Sequence, residues 1–486
     1  MIAPLQLGHE RRSMTTQLTP DEATETIVAL RAESATPYVP RDDTDTSQVP
    51  FRLADGVHIP VERYYDQEFA ELENTKMWLH TWQWIGREEE IPEPGDYIEY
   101  SIVDRTVVAV RQSDNSIKVF NNVCPHRATQ LVENTSCGKF GGNQIVCPFH
   151  GWRWNTDGSE SYIYARRGFV PGSIDADKIN LSEVRSAVKY GFIWINFDSD
   201  APSLEDFFGT YDNHLAPMAM DRMRLRWWKY TIVPANWKIA LEAFLESYHV
   251  MQTHPELTLG VTGDDYDVDG IKYYHHGMGH VDSTAPFDPA DPSSFSMPAS
   301  PVRGMSVSRY IIDQNRVLFE GTDGFATARD EYIADRVRDL PDDEVLGRFY
   351  QELYEYAAES DIPLPTIDPN ASGYGFVFPN LAFLGMPGNL LFYRVRPNGH
   401  DPNSSIFEAL AMQIPRQADM HHAAPRPEGP LAVEDWPFVL RQDHENVGRQ
   451  QAGYRSGAIK HATMSPMYEP MIFSLHSEID RYIATY

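Results

Sequence analysis

The sequence predicts an α+β protein in which a small all-β module is set ahead of a larger mixed domain. Three observations carry that prediction. Between residues 97 and 120, three short segments, YIEYSIV, TVVAVR and IKVF, are rich in β-branched and aromatic residues and are separated by Asp, Asn, Ser and Gly, the pattern of an antiparallel sheet. A further strand, YGFIWINF (190–197), closes that region. Beyond residue 203, helical and strand periodicities alternate to the end of the chain.

The elements follow in order. Residues 1–50 are polar and weakly periodic, a mobile tail with one short helix near Glu22 to Ala35. Residues 51–92 form an N-terminal helical segment. Tyr65, Phe69, Leu72, Met77, Trp78 and Trp82 give its stretch 62–82 an apolar side, until Pro92, Pro94 and Gly95 end it. Residues 93–200 are the β module and 201–486 the mixed domain. Helices are expected at 236–250, 328–359, 433–452 and 466–485, and strands at 375–395 and 405–414. The stretch 261–305, rich in Asp, Gly, Pro, Ser and His, reads as an irregular insertion.

Composition excludes several function classes. Seventy acidic residues against 41 basic ones leave a formal charge of −29, which disfavours a nucleic-acid surface. No apolar run reaches the ~18–20 residues needed to span a bilayer. The first residues, MIAPLQLGHERRSMTT, lack the apolar core of a signal peptide, so the expected location is the cytoplasm. The three cysteines, Cys124, Cys137 and Cys147, fall close together, unlike a disulfide scaffold and like a metal or redox site.

Two of these cysteines sit in matching motifs. Cys124 and His126 lie in NNVCPHRATQ; Cys147 and His150 lie in IVCPFHGWRWNTDGS. Each loop offers one thiolate and one imidazole beside a proline. A [2Fe–2S] centre with two Cys on one iron and two His on the other needs this inventory. A structural zinc site is the competing reading, but such sites usually pair Cys with Cys and His with His. Cys137 matches no ligand position and reads as a free loop cysteine.

A second constellation lies in PANWKIALEAFLESYHVMQTHPEL. On an ideal helix Glu242, Glu246 and His249 fall within about 60° of one another. His254 lies about 140° further round, so it joins His249 on one metal only where the helix distorts or ends. Two His and one carboxylate make the facial triad of O2-activating Fe(II) sites. The other clustered histidines, His275, His276, His280, His421 and His422, read as surface or pocket lining.

NVCPHR and CPFHGWRWNTDGS resemble the Rieske signature of ring-hydroxylating non-heme iron oxygenase large (alpha) subunits. The twenty residues between the two halves exceed the family's usual spacing, and the surplus ENTSCGKFGGN reads as a longer hairpin. The resemblance implies an all-β Rieske domain ahead of a helix-grip (START-like) catalytic domain. It also implies a Rieske cluster on Cys124, His126, Cys147 and His150, and a mononuclear Fe(II) on His249, His254 and a distant Asp. FVLRQDHENVGRQQAGYRSG resembles the family's C-terminal helix and supplies Asp443, with Glu445 and Asp435 as alternatives. Glu246 then takes the place of the bridging carboxylate, linking His150 of one subunit to His249 of the next. Glu stands where many ring dioxygenases have Asp, and Ala243 where Asn is common; Ala243 and Phe244 are the expected pocket residues.

The implied activity is that of a terminal oxygenase. Electrons from a ferredoxin or flavin reductase, together with O2, would mono- or cis-dihydroxylate a small hydrophobic, aromatic substrate in aromatic hydrocarbon catabolism. A Rieske O- or N-demethylase or amine monooxygenase is the alternative, and a pure electron carrier the distant one. A homotrimer, with or without a small beta subunit, is the implied assembly, with no nucleic-acid or membrane partner.

Overall fold

Two seven-stranded antiparallel sheets organise the chain. The computed structural model describes residues 44–266, 273–283, 302–366, 373–421 and 423–486. The expected N-terminal tail with its helix, much of the 261–305 insertion and His422 lie outside the described residues.

The first sheet has the order Gln83–Arg87, Phe192–Asn196, Glu183–Lys189, Ile117–Asn121, Arg105–Arg111, Asp96–Ile102, Cys137–Lys139. Side-chain alternation explains its one-sided core: Ile98, Tyr100 and Ile102 are buried while Tyr97, Glu99 and Ser101 lie partly open. The sheet takes in Gln83–Arg87, which the sequence reading placed with the N-terminal segment. The surplus between the two Cys/His loops becomes an edge strand, pairing Cys137 with Ile98 and Lys139 with Asp96. Cys137 is therefore a strand residue packed against the core, which corrects its reading as a loop cysteine.

The second sheet has the order Arg224–Val233, Ser405–Gln413, Asn389–Pro397, Leu381–Met386, Tyr374–Val377, His280–Asp282, Tyr274–Gly277. Asn389–Pro397 is buried on both faces, and its period of two sorts the residues. Leu391, Tyr393 and Val395 join a core with Trp237, Leu241, Leu440 and Ile479 from the helices Trp237–Glu242, Phe438–Arg455 and Pro470–Thr485. Leu390 and Phe392 join another with Trp84, Phe192 and Trp194 of the first sheet and Phe207 and Phe208.

Several expected elements are subdivided. The stretch 62–82 is a 3-10 turn (Val61–Tyr64), an α turn (Gln67–Leu72) and a π turn (Glu73–Met77). The π turn presents Glu73 to the buried Lys238 at 2.7 and 2.9 Å, and such turns are often placed to aim a side chain. The expected helix 328–359 is two helices, Ala328–Val337 and Asp342–Glu359, because Pro341 has no N–H to donate. The expected helix 236–250 stops at Glu242 and resumes only over Val250–Thr253. Between them Glu246 takes the backbone N–H of His249 at 2.9 Å, a side-chain bond that competes with helical pairing.

The sheets meet through the buried Arg394 and the half-buried Arg396. Arg394 forms two 2.7 Å bonds with Glu408, donates to the Trp84 carbonyl at 3.1 Å and lies 4.1 Å over the Trp84 ring. Arg396 bonds Glu408 and the Ser101 carbonyl. Burial works against charge on Glu408, but the two arginines hold its carboxyl below the usual range.

Glu242 is a second buried carboxyl, held by Tyr64 Oη at 3.1 Å and His476 Nε2 at 2.8 Å. Burial outweighs the pull of Tyr64 and Lys238 and pushes it up from 4.5 to about 8. Across that interval the folded chain keeps a proton that the unfolded chain has released. Its stabilising contribution is therefore full below about pH 4.5 and is lost as pH rises through about 8. We expect Glu242→Gln, which stays neutral, to flatten the fall in urea midpoint between about pH 5 and 9. An undiminished fall would assign the pH dependence to other groups.

Candidate metal centres

Two loops of the first domain carry the Cys/His pairs, and their backbones repeat one geometry. The Cys124 carbonyl accepts from Ala128 N and its N–H donates to the Thr129 carbonyl; Cys147 does the same with Gly151 and Trp152. The fifth residue of each knuckle is left-handed, Ala128 at φ 58° and Gly151 at φ 70°, which folds both donors of a loop to one side. The side chains meet in like pairs, Cys124 beside Cys147 and His126 beside His150. The His126 and His150 rings are 4.7 Å apart, and Trp152 stacks on His126 at 4.7 Å.

These residues fit a cluster. Nδ1 of His126 and of His150 are buried with no hydrogen-bond partner, so each ring turns an unsatisfied nitrogen inward. Burial, reinforced by Cys147, pushes the Cys124 thiol up to about 11, so its thiolate needs a cation. The surroundings are apolar but open: Val123, Val146, Phe149, Tyr162, Tyr164 and Val170 are 40–73% exposed.

In the second domain His249, His254 and Asp443 meet. The two Nε2 atoms are 3.2 Å apart, and Asp443 Oδ1 lies 3.4 Å from one and 3.0 Å from the other. Each ring's other nitrogen already has an acceptor: Glu246 Oε1 at 2.5 Å for His249 and Gln442 Oε1 at 2.8 Å for His254. With Nδ1–H donating outward, both Nε2 atoms face the same point as a carboxylate oxygen, which either a proton on a ring or a metal cation reconciles, and the donor set suits the cation. Burial opposes charge on His249, but Asp443 and Glu246 outweigh it and push its pKa up to about 10. Burial likewise opposes charge on Asp443, yet His249 and His254 hold it at about 2.

The alternatives to Asp443 stand apart. Glu445 is exposed on the same helix and Asp435 is exposed ahead of it. The helix break after Glu242 is what lets His254 reach His249. Among the other histidines, His421 is exposed, and His280 is buried between the Phe207 carbonyl and the Phe378 N–H. Ala243 and Phe244 follow the broken helix; Phe244 stacks on Tyr393 at 4.1 Å and faces Phe407 at 5.1 Å. Phe407 meets His444, the neighbour of Asp443, at 4.7 Å.

Sequence reasoning missed Gln442. Its amide also donates to Glu256 at 3.1 Å, which fixes which end faces His254. We expect Gln442→Ala to weaken iron binding roughly 10–100-fold, read as residual iron after dialysis against a graded chelator. Retention equal to the wild type would deny Gln442 an orienting role. An amide beside an acid in a helix has no pattern of its own, so adjacency to Asp443 was the only available cue.

Comparison with known proteins follows this division. The family model described as "Ring hydroxylating alpha subunit (catalytic domain)" matches residues 220–485, and "Rieske [2Fe-2S] domain" matches 81–168. The chain is 33% identical over 211 residues to the carnitine monooxygenase oxygenase subunit of Escherichia coli K12, covering 43% of this chain and 55% of that protein. It is 32% identical over 194 residues to the large oxygenase component of the naphthalene 1,2-dioxygenase system of Pseudomonas aeruginosa, covering 39% and 42%. The alignments thus span about half the length of these curated relatives. Among solved structures, a quaternary ammonium Rieske monooxygenase, CntA, with L-carnitine superposes at TM-score 0.56 and 18% identity, covering 88% of this chain and 95% of that one. A naphthalene 1,2-dioxygenase with indole in its active site gives TM-score 0.61 and 20% identity, covering 90% and 95%. At these identities the superpositions speak for the fold. No helix among the described residues is long and apolar enough to cross a membrane.

Proposed function

Because this chain belongs to the ring-hydroxylating oxygenase alpha-subunit family, we propose that it is a terminal oxygenase, spending electrons from an external reductase or ferredoxin to hydroxylate a small organic substrate with O2. The observation that carries the proposal is that His249, His254 and Asp443 converge in the same chain as the two Cys/His knuckles. A pure electron carrier would have no use for the second group. When bound, the cluster supplies single electrons and the iron supplies a site where O2 is activated beside the substrate.

The chain's own residues divide the work. Cys124, Cys147, His126 and His150 hold the cluster in a domain spanning 93–200 and completed by Gln83–Arg87. His249, His254 and Asp443 hold the iron in the domain 201–486. Glu246 fixes the His249 ring and keeps Nδ1 protonated. The exposed apolar rim around the cluster loops supports contact with another subunit, as does the partial exposure of His150. In that assembly, a homotrimer with or without a small beta subunit, Glu246 accepts from His150 of the partner subunit as well as from His249.

For the substrate, Phe244, Tyr393, Phe407 and Trp436 form a buried aromatic cluster beside His444, the neighbour of Asp443. Aromatic faces stack on arenes and equally attract a quaternary ammonium group. We propose a quaternary ammonium compound first, since relatives named for carnitine and glycine betaine match over a similar span, and an aromatic substrate second. The test joins metal analysis to a compound panel. The purified chain should hold about three irons and two acid-labile sulfides, and should oxidise trimethylammonium compounds in preference to arenes. Zinc in place of iron and sulfide would sink the oxygenase reading; oxidation of arenes alone would reverse the substrate order.

A further inference from the structure

A second His/His/Asp group lies at the far edge of the second sheet. His214 sits on the short helix Asp212–Leu215, His276 on the edge strand Tyr274–Gly277, and Asp282 on the neighbouring strand His280–Asp282. Their donor atoms all lie within 4.8 Å of one another. His214 Nδ1 is 3.1 Å and His276 Nε2 3.2 Å from the same oxygen, Asp282 Oδ2. Asp282 is fully buried, and the His276 and His214 side chains are 7% and 12% exposed.

Distance alone would suggest two hydrogen bonds to a carboxylate, but the directions disagree. Neither ring nitrogen meets the carboxylate along a line on which an N–H could donate, and both are buried atoms with no hydrogen-bond partner. Two imidazole nitrogens beside one carboxylate oxygen, off the hydrogen-bond line, is the arrangement found again at His249, His254 and Asp443, with its separations of 3.0–3.4 Å. The rings are also held in place: Tyr211 stacks on His276 at 4.5 Å and 8°, and the His214 and His276 rings are 4.6 Å apart. A helix and a hairpin about sixty residues further along the chain are thereby aimed at one point.

We propose that His214 Nδ1, His276 Nε2 and Asp282 Oδ2 bind a divalent transition cation of the zinc class. Two imidazoles and one carboxylate suit such an ion in tetrahedral coordination, with water as the fourth ligand. Bound there, the ion ties the helix Asp212–Leu215 to the hairpin that ends the second sheet, so that an edge strand is fixed by coordination as well as by one row of backbone bonds. This site draws no residue from the iron centre, so it stands whether or not the chain is an oxygenase.

The test uses the full chain with its cluster in a His249→Ala/His254→Ala background, which keeps the iron centre from competing for metal. Titration with Co²⁺ should show one equivalent bound with the visible bands of a tetrahedral nitrogen/oxygen site, and Zn²⁺ should displace it. Adding His276→Gln should weaken Co²⁺ binding at least about 100-fold, more than removal of a ligand's hydrogen-bond partner brings, with cluster absorbance unchanged. His214→Gln, at the more open ligand, repeats the measurement should His276→Gln fail to fold. Absence of a bound equivalent, or an equivalent indifferent to either substitution, would overturn the proposal and leave a carboxylate flanked by two histidines.

Discussion

Glu246→Gln is expected to leave the cluster spectrum and the iron content intact while product formation falls about 100-fold or more, at the upper end of what a metal ligand's hydrogen-bond partner contributes. The carboxylate lies 2.5 Å from His249 Nδ1 and also takes the His249 backbone N–H at 2.9 Å. A neutral amide can accept once from the ring, but it cannot stabilise positive charge on His249 or, in the proposed assembly, accept equally from His150 of the partner subunit. Glu246→Asp keeps the charge and should recover part of the activity. The readouts are absorbance, iron per chain and product per reductant consumed. Turnover equal to the wild type in Glu246→Gln would remove the bridging role and leave the rest of the centre untouched.

Arg394→Met should produce the largest loss of stability, about 3–5 kcal/mol, the range measured when one member of a buried ion pair is removed. Glu408 would stay buried with only Arg396 at 3.2 Å to answer it, and the contact with the Trp84 carbonyl and ring would go as well. The urea midpoint is the measurement. Pairing Arg394→Met with Glu408→Gln should restore a large part of the loss, because no uncompensated charge then remains. A single variant within 1 kcal/mol of the wild type would show that the arginine does not join the two sheets.

Legibility in the sequence followed the range of the interactions. The Cys/His knuckles were legible because each is closed by bonds only four and five residues long, so ligands and loop-formers are printed together. Part of the first sheet was legible for the same reason: Asp96–Ile102, Arg105–Arg111 and Ile117–Asn121 are joined by tight turns and write their alternation locally, whereas Gln83–Arg87, Cys137–Lys139 and Glu183–Lys189, which pair with strands far off in sequence, were not. His249 and His254 were visible as a pair, but their geometry was not. An ideal helix separates them, and only the side-chain bond from Glu246 and the ending of helical pairing at Glu242 bring both Nε2 atoms together. Asp443 came through resemblance to a helix almost two hundred residues away. Gln442, and the group of His214, His276 and Asp282, were invisible as sites because each depends on tertiary contact among elements with no shared motif. Reading His276 as a surface or pocket histidine missed a nearly buried ring for that reason.

The alternation along Asn389–Pro397 carries a consequence for how such an enzyme can diversify. Leu391, Tyr393 and Val395 pack with the helices and with Ile98 and Ile193 of the first sheet, whereas Leu390 and Phe392 pack with Trp84 and Phe192, and Arg394 lies over the Trp84 ring. One stretch of nine residues therefore holds two separate hereditary ledgers. Changes at odd positions fall in the core of the helices Trp237–Glu242 and Phe438–Arg455, a core that also takes in Ile98 and Ile193 of the first sheet. Changes at even positions fall instead against Trp84, Phe192 and Phe208. A lineage built on this strand can vary its two faces against different sets of neighbours.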